Sequence, residues 1–245
     1  MLRARLETIN PNEVLLYLGY NGGEVPDGLE AQIAACAEEI KKAARPKVTY
    51  RIFAVPEESA AGQNGGRGVF LQGVPFPLEG NDIARHLRDC TLAVLMAATL
   101  GPDAETLLMR AQVQDMSRAL ILDSCASTAI ENVCDLFETD LRAEYETQGL
   151  YLTDRFSPGY GDMPIGQQRD FCELLDTRRR IGLSVSQSGI LLPRKSVTAV
   201  MGVSDTPRTR RSSGCANCSM FRTCQIRRDG RFCGADTGIC KGDRR

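Results

Sequence analysis

Apolar residues recur at helical spacing after Asp27: Leu29, Ile33, Ala37, Ile40 and Ala44 share one face, predicting a helix to about Ala44 with Asp27 as its cap. A shorter helix, Glu13 to Leu18, opens at Asn10-Pro11. From Lys47 to Phe53 the pattern switches to period two, with Val48, Tyr50 and Ile52 alternating, which predicts a strand. Gly62 to Gly68 (GQNGGRG) reads as a flexible turn, and Val69 to Val74 as a second strand. Asn81 or Asp82 caps a helix to about Arg88. Cys90 to Leu100 is an apolar-rich run, expected of a buried strand, and Gly101-Pro102 ends it. Helices follow from Pro102 to about Gln114 and from Ser117 to about Thr147, the second closed by Gly149.

The last third is more broken. Tyr151 to Phe156 is extended, and Ser157-Pro158-Gly159-Tyr160-Gly161 is a tight loop. Pro164 starts a helix to about Leu175. Strands are expected at Ile181 to Ser186 and Ser196 to Val203, flanking Gly189 and Pro193. Strands and helices mix without a regular βαβ repeat. The expected class is α+β (mixed α/β): one twisted, mainly antiparallel sheet with packed helices, plus a small Cys-rich C-terminal tail.

Composition narrows this picture. With 245 residues and 42% hydrophobic composition, the chain can bury one sizeable core, so one domain with a small appendage is expected. A net charge of −1 argues against a generally basic nucleic-acid binder. A single histidine, His86, excludes multi-histidine metal sites, and its place on a polar helix predicts a surface residue. The longest apolar run falls short of the roughly 20 residues needed to cross a bilayer, so no membrane span is expected. The N-terminus lacks the apolar stretch of a signal peptide, which points to a cytoplasmic, reducing setting. There the ten cysteines read as thiols or metal ligands rather than disulfides.

Those cysteines divide the chain. Cys36, Cys90, Cys125, Cys134 and Cys172 are scattered in apolar contexts, whereas Cys215, Cys218, Cys224, Cys233 and Cys240 crowd the end. Charge shifts nearby. Residues 1–204 carry −7 and residues 205–245 carry +6, across a linker-like run from Asp205 to Gly214. The boundary is therefore drawn between a main domain, 1–204, and a basic tail, 205–245. Cys215-Ala-Asn-Cys218 is a C-x-x-C pair. Cys224 follows after five residues and Cys233 after eight more, and Cys240 can replace one member. Four thiolates so spaced can hold zinc or an iron–sulfur cluster, and spacing alone does not choose between them. Redox thiols and an uncommitted tail are the other readings. The tail arginines can meet phosphates or an acidic protein. Its aromatics are Phe221 and Phe232 alone, which argues against nucleic acid bound by base stacking.

In the main domain, Arg155 precedes the Pro158-Gly159 turn, where it can grip a carboxylate or phosphate with two donors. Tyr160 adds a ring and a hydroxyl. The plain alternative is a surface turn with an incidental arginine. The pattern Arg155-x-x-x-Gly159-Tyr160 resembles the R-x-x-x-G-Y motif of the activation domain of cobalamin-dependent methionine synthase. Ile181-Gly-Leu-Ser-Val-Ser-Gln-Ser188, Pro193 and Ser196-Val-Thr198 resemble the later blocks of that family in order and spacing. Asn10 to Tyr20 is similar to the start of its short, free-standing forms. The likeness is strongest over residues 115–203.

The resemblance implies a domain that binds S-adenosylmethionine and supports reductive methylation of oxidised cobalamin. That cobalamin would be held by a partner, either a methionine synthase core or another corrinoid protein. A flavodoxin-like or ferredoxin-like protein would supply the electron. The chain would then act in trans within a methyltransferase system. By the same resemblance, Arg155 holds the ligand's carboxylate, Ser157, Pro158 and Gly159 contact it through backbone, and Tyr160 lies towards the corrin. Asp123 matches an acidic position of the family. The family's next acid falls on Ser127, and Glu131, on roughly the same helix face, takes its place for the cationic groups. A solvated helix face is the alternative for both acids. Met201-Gly202 stands where the family often has adjacent aromatics. Two further readings stay open: a corrinoid-binding escort module without S-adenosylmethionine, and a redox adaptor working through its Cys-rich tail.

Overall fold

The computed structural model describes residues 4–20, 24–57 and 68–207. Among the described residues the helices are α1 (Pro11–Tyr17), α2 (Leu29–Ala43), α3 (Asn81–His86), α4 (Pro102–Gln114), α5 (Met116–Glu146), α6 (Gln168–Leu174) and α7 (Thr177–Ile181). The strands are β1 (Lys47–Ala54), β2 (Gly68–Val69), β3 (Leu78–Glu79), β4 (Leu92–Thr99), β5 (Tyr151–Leu152), β6 (Ser184–Val185), β7 (Leu191–Leu192) and β8 (Ser196–Ser204). The main sheet has the order β1-β4-β8-β5, antiparallel throughout, and β2-β3 and β6-β7 form two small ladders.

Strand β4 is central and packed on both faces, which is why its sequence is a continuous apolar run. Val94, Met96 and Ala98 join a core with α2, α4 and α5. Ala93, Leu95 and Ala97 join a second core with Ile83, Leu87, Phe171 and Leu191. Helix α5 anchors the first core through Leu122, Val133, Phe137 and Leu141, at helical spacing. The scattered cysteines Cys36, Cys90, Cys125, Cys134 and Cys172 are all buried free thiols, as their apolar settings predict.

Several local expectations change. Asp27 does not cap α2; Gly28, in the left-handed region, precedes it. The strand expected at Val69–Val74 stops at Val69, because Gly73 turns the chain at φ +76°. Cys90 lies in the turn before β4 rather than in it. Pro164 opens a 3-10 turn (Ile165–Gln167) before α6. Ile181 ends a helix instead of starting a strand, and Gly182 at φ +72° closes that helix. The GQNGGRG turn up to residue 67, and the tail from residue 208, lie outside the described residues.

Candidate functional site

After β5 the chain runs on beside β8. Thr153 donates its N–H to Gly202 O (2.8 Å), and Phe156 exchanges both backbone bonds with Val200 (2.9 and 2.8 Å). Arg155 therefore leaves an ordered edge, and its side chain crosses to α5. There three carboxylates receive it: Nη1 meets Glu138 Oε2 at 3.0 Å, and Nη2 meets Asp135 Oδ1 at 2.6 Å and Glu131 Oε2 at 3.2 Å. The guanidinium side chain is 17% exposed and Asp135 is 65% exposed. Glu138 is shared with Arg142 (2.7 Å), which also donates to the carbonyls of Leu152 and Thr153 (3.4 Å to the latter). A row of acids on one helix face thus fastens the extended segment to α5.

Glu131 stands beside Arg155. Desolvation raises its carboxyl above the usual range, Arg155 opposes this, and Asp135 adds to it. Helix α1 brings two more groups within electrostatic reach. Glu13 is raised by burial and by Asp135 and Glu131. Tyr17 is raised by burial, then by Glu131, Glu13, Tyr160 and Asp135, so its phenol stays a hydrogen-bond donor. Tyr17 and Tyr160 are largely exposed. The result is a guanidinium held by three acids, with the Tyr17 phenol in electrostatic reach of two of them.

Asp123 is placed elsewhere. Lys195 donates to Asp123 Oδ1 (2.9 Å) and to Ser127 Oγ (2.8 Å). Asp123 is part-exposed and already paired with a largely buried ammonium. Two turns separate it from Glu131 on α5, about 12 Å along the axis, so the two acids serve different cations.

The turn is built from short-range bonds. Tyr160 N–H reaches Ser157 O, Met163 N–H reaches Tyr160 O, and Gly159 N–H reaches Met163 O, each at 3.0 Å. Gly159 sits at φ +95°, and a Cβ there would press on Ile165 Cδ1 at 2.9 Å. The positive φ is what calls for glycine; the Ile165 contact is with the end of a movable side chain. Pro158 is buried beneath the turn and Ser157 is half-buried. Ile165 also borders a cavity of about 340 Å³ lined by Arg169, Asp170, Val185, Gln187 and Ser188.

His86 corrects a prediction. It is 7% exposed, because α3 turns its last residue in under the extended segment. Nε2 lies 2.9 Å from both Asp154 O and Thr153 Oγ1. The cap of α3 is corrected too. Neither Asn81 nor Asp82 caps it; Gly80 precedes the helix, and Asp162 accepts from Asn81 N (2.7 Å) and Asp82 N (2.9 Å) across 80 residues of chain. These backbone bonds hold the Asp162 carboxyl below its usual value.

Sequence reasoning missed Asp135, Glu138, Glu13, Tyr17, Arg142, Lys195 and Asp162. The Glu131–Asp135 and Glu138–Arg142 spacings of four were the available signal for α5; Lys195 and Asp162 had none. Met201 is fully buried in the α5 core. A Cβ at Gly202 would collide with Cys90 Sγ and touch Leu87 Cδ2 at 3.0 Å, so aromatics have no room at Gly202. The predicted metal ligands Cys215, Cys218, Cys224 and Cys233 lie outside the described residues. Among the described residues no group of three or more His, Cys, Asp or Glu can hold a metal ion, and no helix is long and apolar enough to cross a membrane.

No family model and no curated protein matches this chain in sequence. Solved structures do match in fold. The crystal structure of the MetH reactivation domain bound to AdoHcy superposes with a TM-score of 0.55, covering 82% of this chain and 75% of that one, at 14% sequence identity.

Proposed function

We propose that this chain binds an S-adenosylmethionine-type ligand beside Arg155 and serves as a reactivation module for a corrinoid protein. The observation that carries the reading is the fold, shared with a domain crystallised with AdoHcy, combined with an Arg155 turn already organised around an exchangeable carboxylate. Asp135 is the most exposed of the three acids on Arg155. A ligand carboxylate takes its place with little loss, since one charged pair replaces another. The released Asp135, with Glu131 and Glu13, then faces the ligand's ammonium and sulfonium. A zwitterion with an additional positive centre suits a site where acids outnumber the guanidinium.

Ser157, Pro158 and Gly159 supply backbone close to the ligand, because Gly159 lets the chain pass without a side chain in the way. Tyr17 and Tyr160 form an aromatic rim towards a partner's cobalamin. The cobalamin supplies the methyl-accepting cobalt, and this chain's residues bind and orient the donor. A flavodoxin-like or ferredoxin-like protein is the proposed electron source, and the tail cysteines a proposed zinc or iron–sulfur site.

Titration calorimetry with AdoHcy on the full chain tests the reading. Wild type should bind. Arg155→Ala should lose at least about tenfold in affinity, the worth of one charge-assisted pair. Absence of binding in wild type, or unchanged binding in the variant, overturns it.

A further inference from the structure

Helix α3 is short, has no side-chain cap of its own, and yet touches the Arg155 segment at both ends. We infer that α3 is a brace that sets the geometry of residues 153–162, with His86 and Asp162 as its two positioning residues; this rests on the proposal that the Arg155 turn receives the ligand.

At one end, Asp162 accepts the N–H groups of Asn81 and Asp82 and the side-chain amide of Asn81 (2.7, 2.9 and 3.0 Å). A helix start is an array of unsatisfied donors, and here the missing acceptor comes from the far side of the turn. The approach is close. A Cβ on Gly80 or Gly161 would run into Asp162 or Asp82 respectively, so both chains meet through glycine. At the other end, His86 Nε2 lies 2.9 Å from the Asp154 carbonyl, which can only accept. Nε2 therefore carries the proton and donates. Thr153 Oγ1 stands at the same distance from Nε2 and accepts from Gly202 N–H at 2.8 Å. The imidazole is thus tied to the edge of β8 as well.

The Asp154 carbonyl belongs to the peptide plane that precedes Arg155, and Phe156 N–H, bonded to Val200 O at 2.9 Å, belongs to the plane that follows it. Holding both planes constrains φ and ψ of Arg155, and so the direction in which its side chain departs. The imidazole also packs on Phe156 (5.4 Å between centroids), whose ring packs in turn on Tyr160 (6.5 Å). One buried side chain so orients both ends of the Arg155-x-x-x-Gly159-Tyr160 turn, through the Asp154 carbonyl and the Phe156 ring.

Three variants of the full chain test this: His86→Leu removes the donor at similar size, His86→Gln retains an N–H near Nε2, and Asp162→Ala releases the opposite end. The readouts are AdoHcy affinity by calorimetry, amide hydrogen exchange and thermal midpoint. His86→Leu should lose about tenfold in affinity, one hydrogen bond's worth. Its exchange should accelerate at residues 153–163 while β4 and β8 stay protected. His86→Gln should recover most of both. Asp162→Ala should accelerate exchange at the same residues. Unchanged exchange at 153–163 in both His86→Leu and Asp162→Ala overturns the brace, as does equal loss in His86→Leu and His86→Gln. If wild type does not bind AdoHcy, the ligand reading fails, and the exchange pattern alone then upholds or overturns the brace.

Discussion

Asp162 shows how one residue links pH to the site. Its carboxyl is held below the ordinary aspartate value of 3.8 by the backbone of Asp82 and then Asn81. A carboxyl depressed in the folded state contributes stability above its unfolded value, and that contribution is lost as pH falls through the folded one. Asp162→Asn keeps an acceptor but not the charge. Its thermal midpoint should lie below wild type at pH 6, and the two curves should converge as pH falls below the ordinary aspartate range. Parallel curves would show that Asp162 carries no such linkage. Gly202 makes a steric claim of the same size of structure. A Cβ there meets Cys90 Sγ and Leu87 Cδ2 in a filled core, so Gly202→Ala should cost about 1–3 kcal/mol in urea unfolding.

Among the elements, α5 does the most. One face carries Leu122, Val133, Phe137 and Leu141 into the core, and a neighbouring edge carries Asp123, Glu131, Asp135 and Glu138. Asp115 caps its start through Arg118 N–H at 3.1 Å. Phe137 is 2% exposed and its ring lies 5.2 Å from Tyr50 of β1, so it joins helix to sheet. Phe137→Ala should cost about 3–5 kcal/mol in urea unfolding. A loss below 1 kcal/mol would mean that α5 is not held by that contact. The helices and long strands were readable because their periods are local. The 31-residue α5 and the β4 run were both predicted to within a few residues. The two-residue strands β3 and β7 were not, and β2 and β6 only as parts of longer expected strands, since pairing rather than pattern defines elements so short.

At the scale of the whole molecule, the described residues of both cores lie between Ile9 and Val203. With the tail read as a separate appendage, removing residues 205–245 should shift the thermal midpoint by less than about 3 °C. A large loss would place part of the tail in the folding unit. If the four tail cysteines bind metal, anaerobically purified full chain should carry zinc or iron that the 1–204 chain lacks. Free titratable thiols with neither metal would end that proposal.

The sequence by itself determined the class of fold, the long helices, the central strand, the five buried thiols and the Arg155 turn, because each is written in residues near one another in the chain. Helical spacing put Glu131 on the helix face of Asp123, and only the fold brought it to Arg155. What Arg155, Asp123 and His86 do was decided by the tertiary structure. Asp123 found Lys195 across 72 residues, Asp162 found the start of α3 across 80, and His86 was buried by a segment 67 residues away. Partners so distant leave no period in the sequence. Charge and hydrogen-bond capacity name what a residue can hold, and only packing chooses which partner arrives.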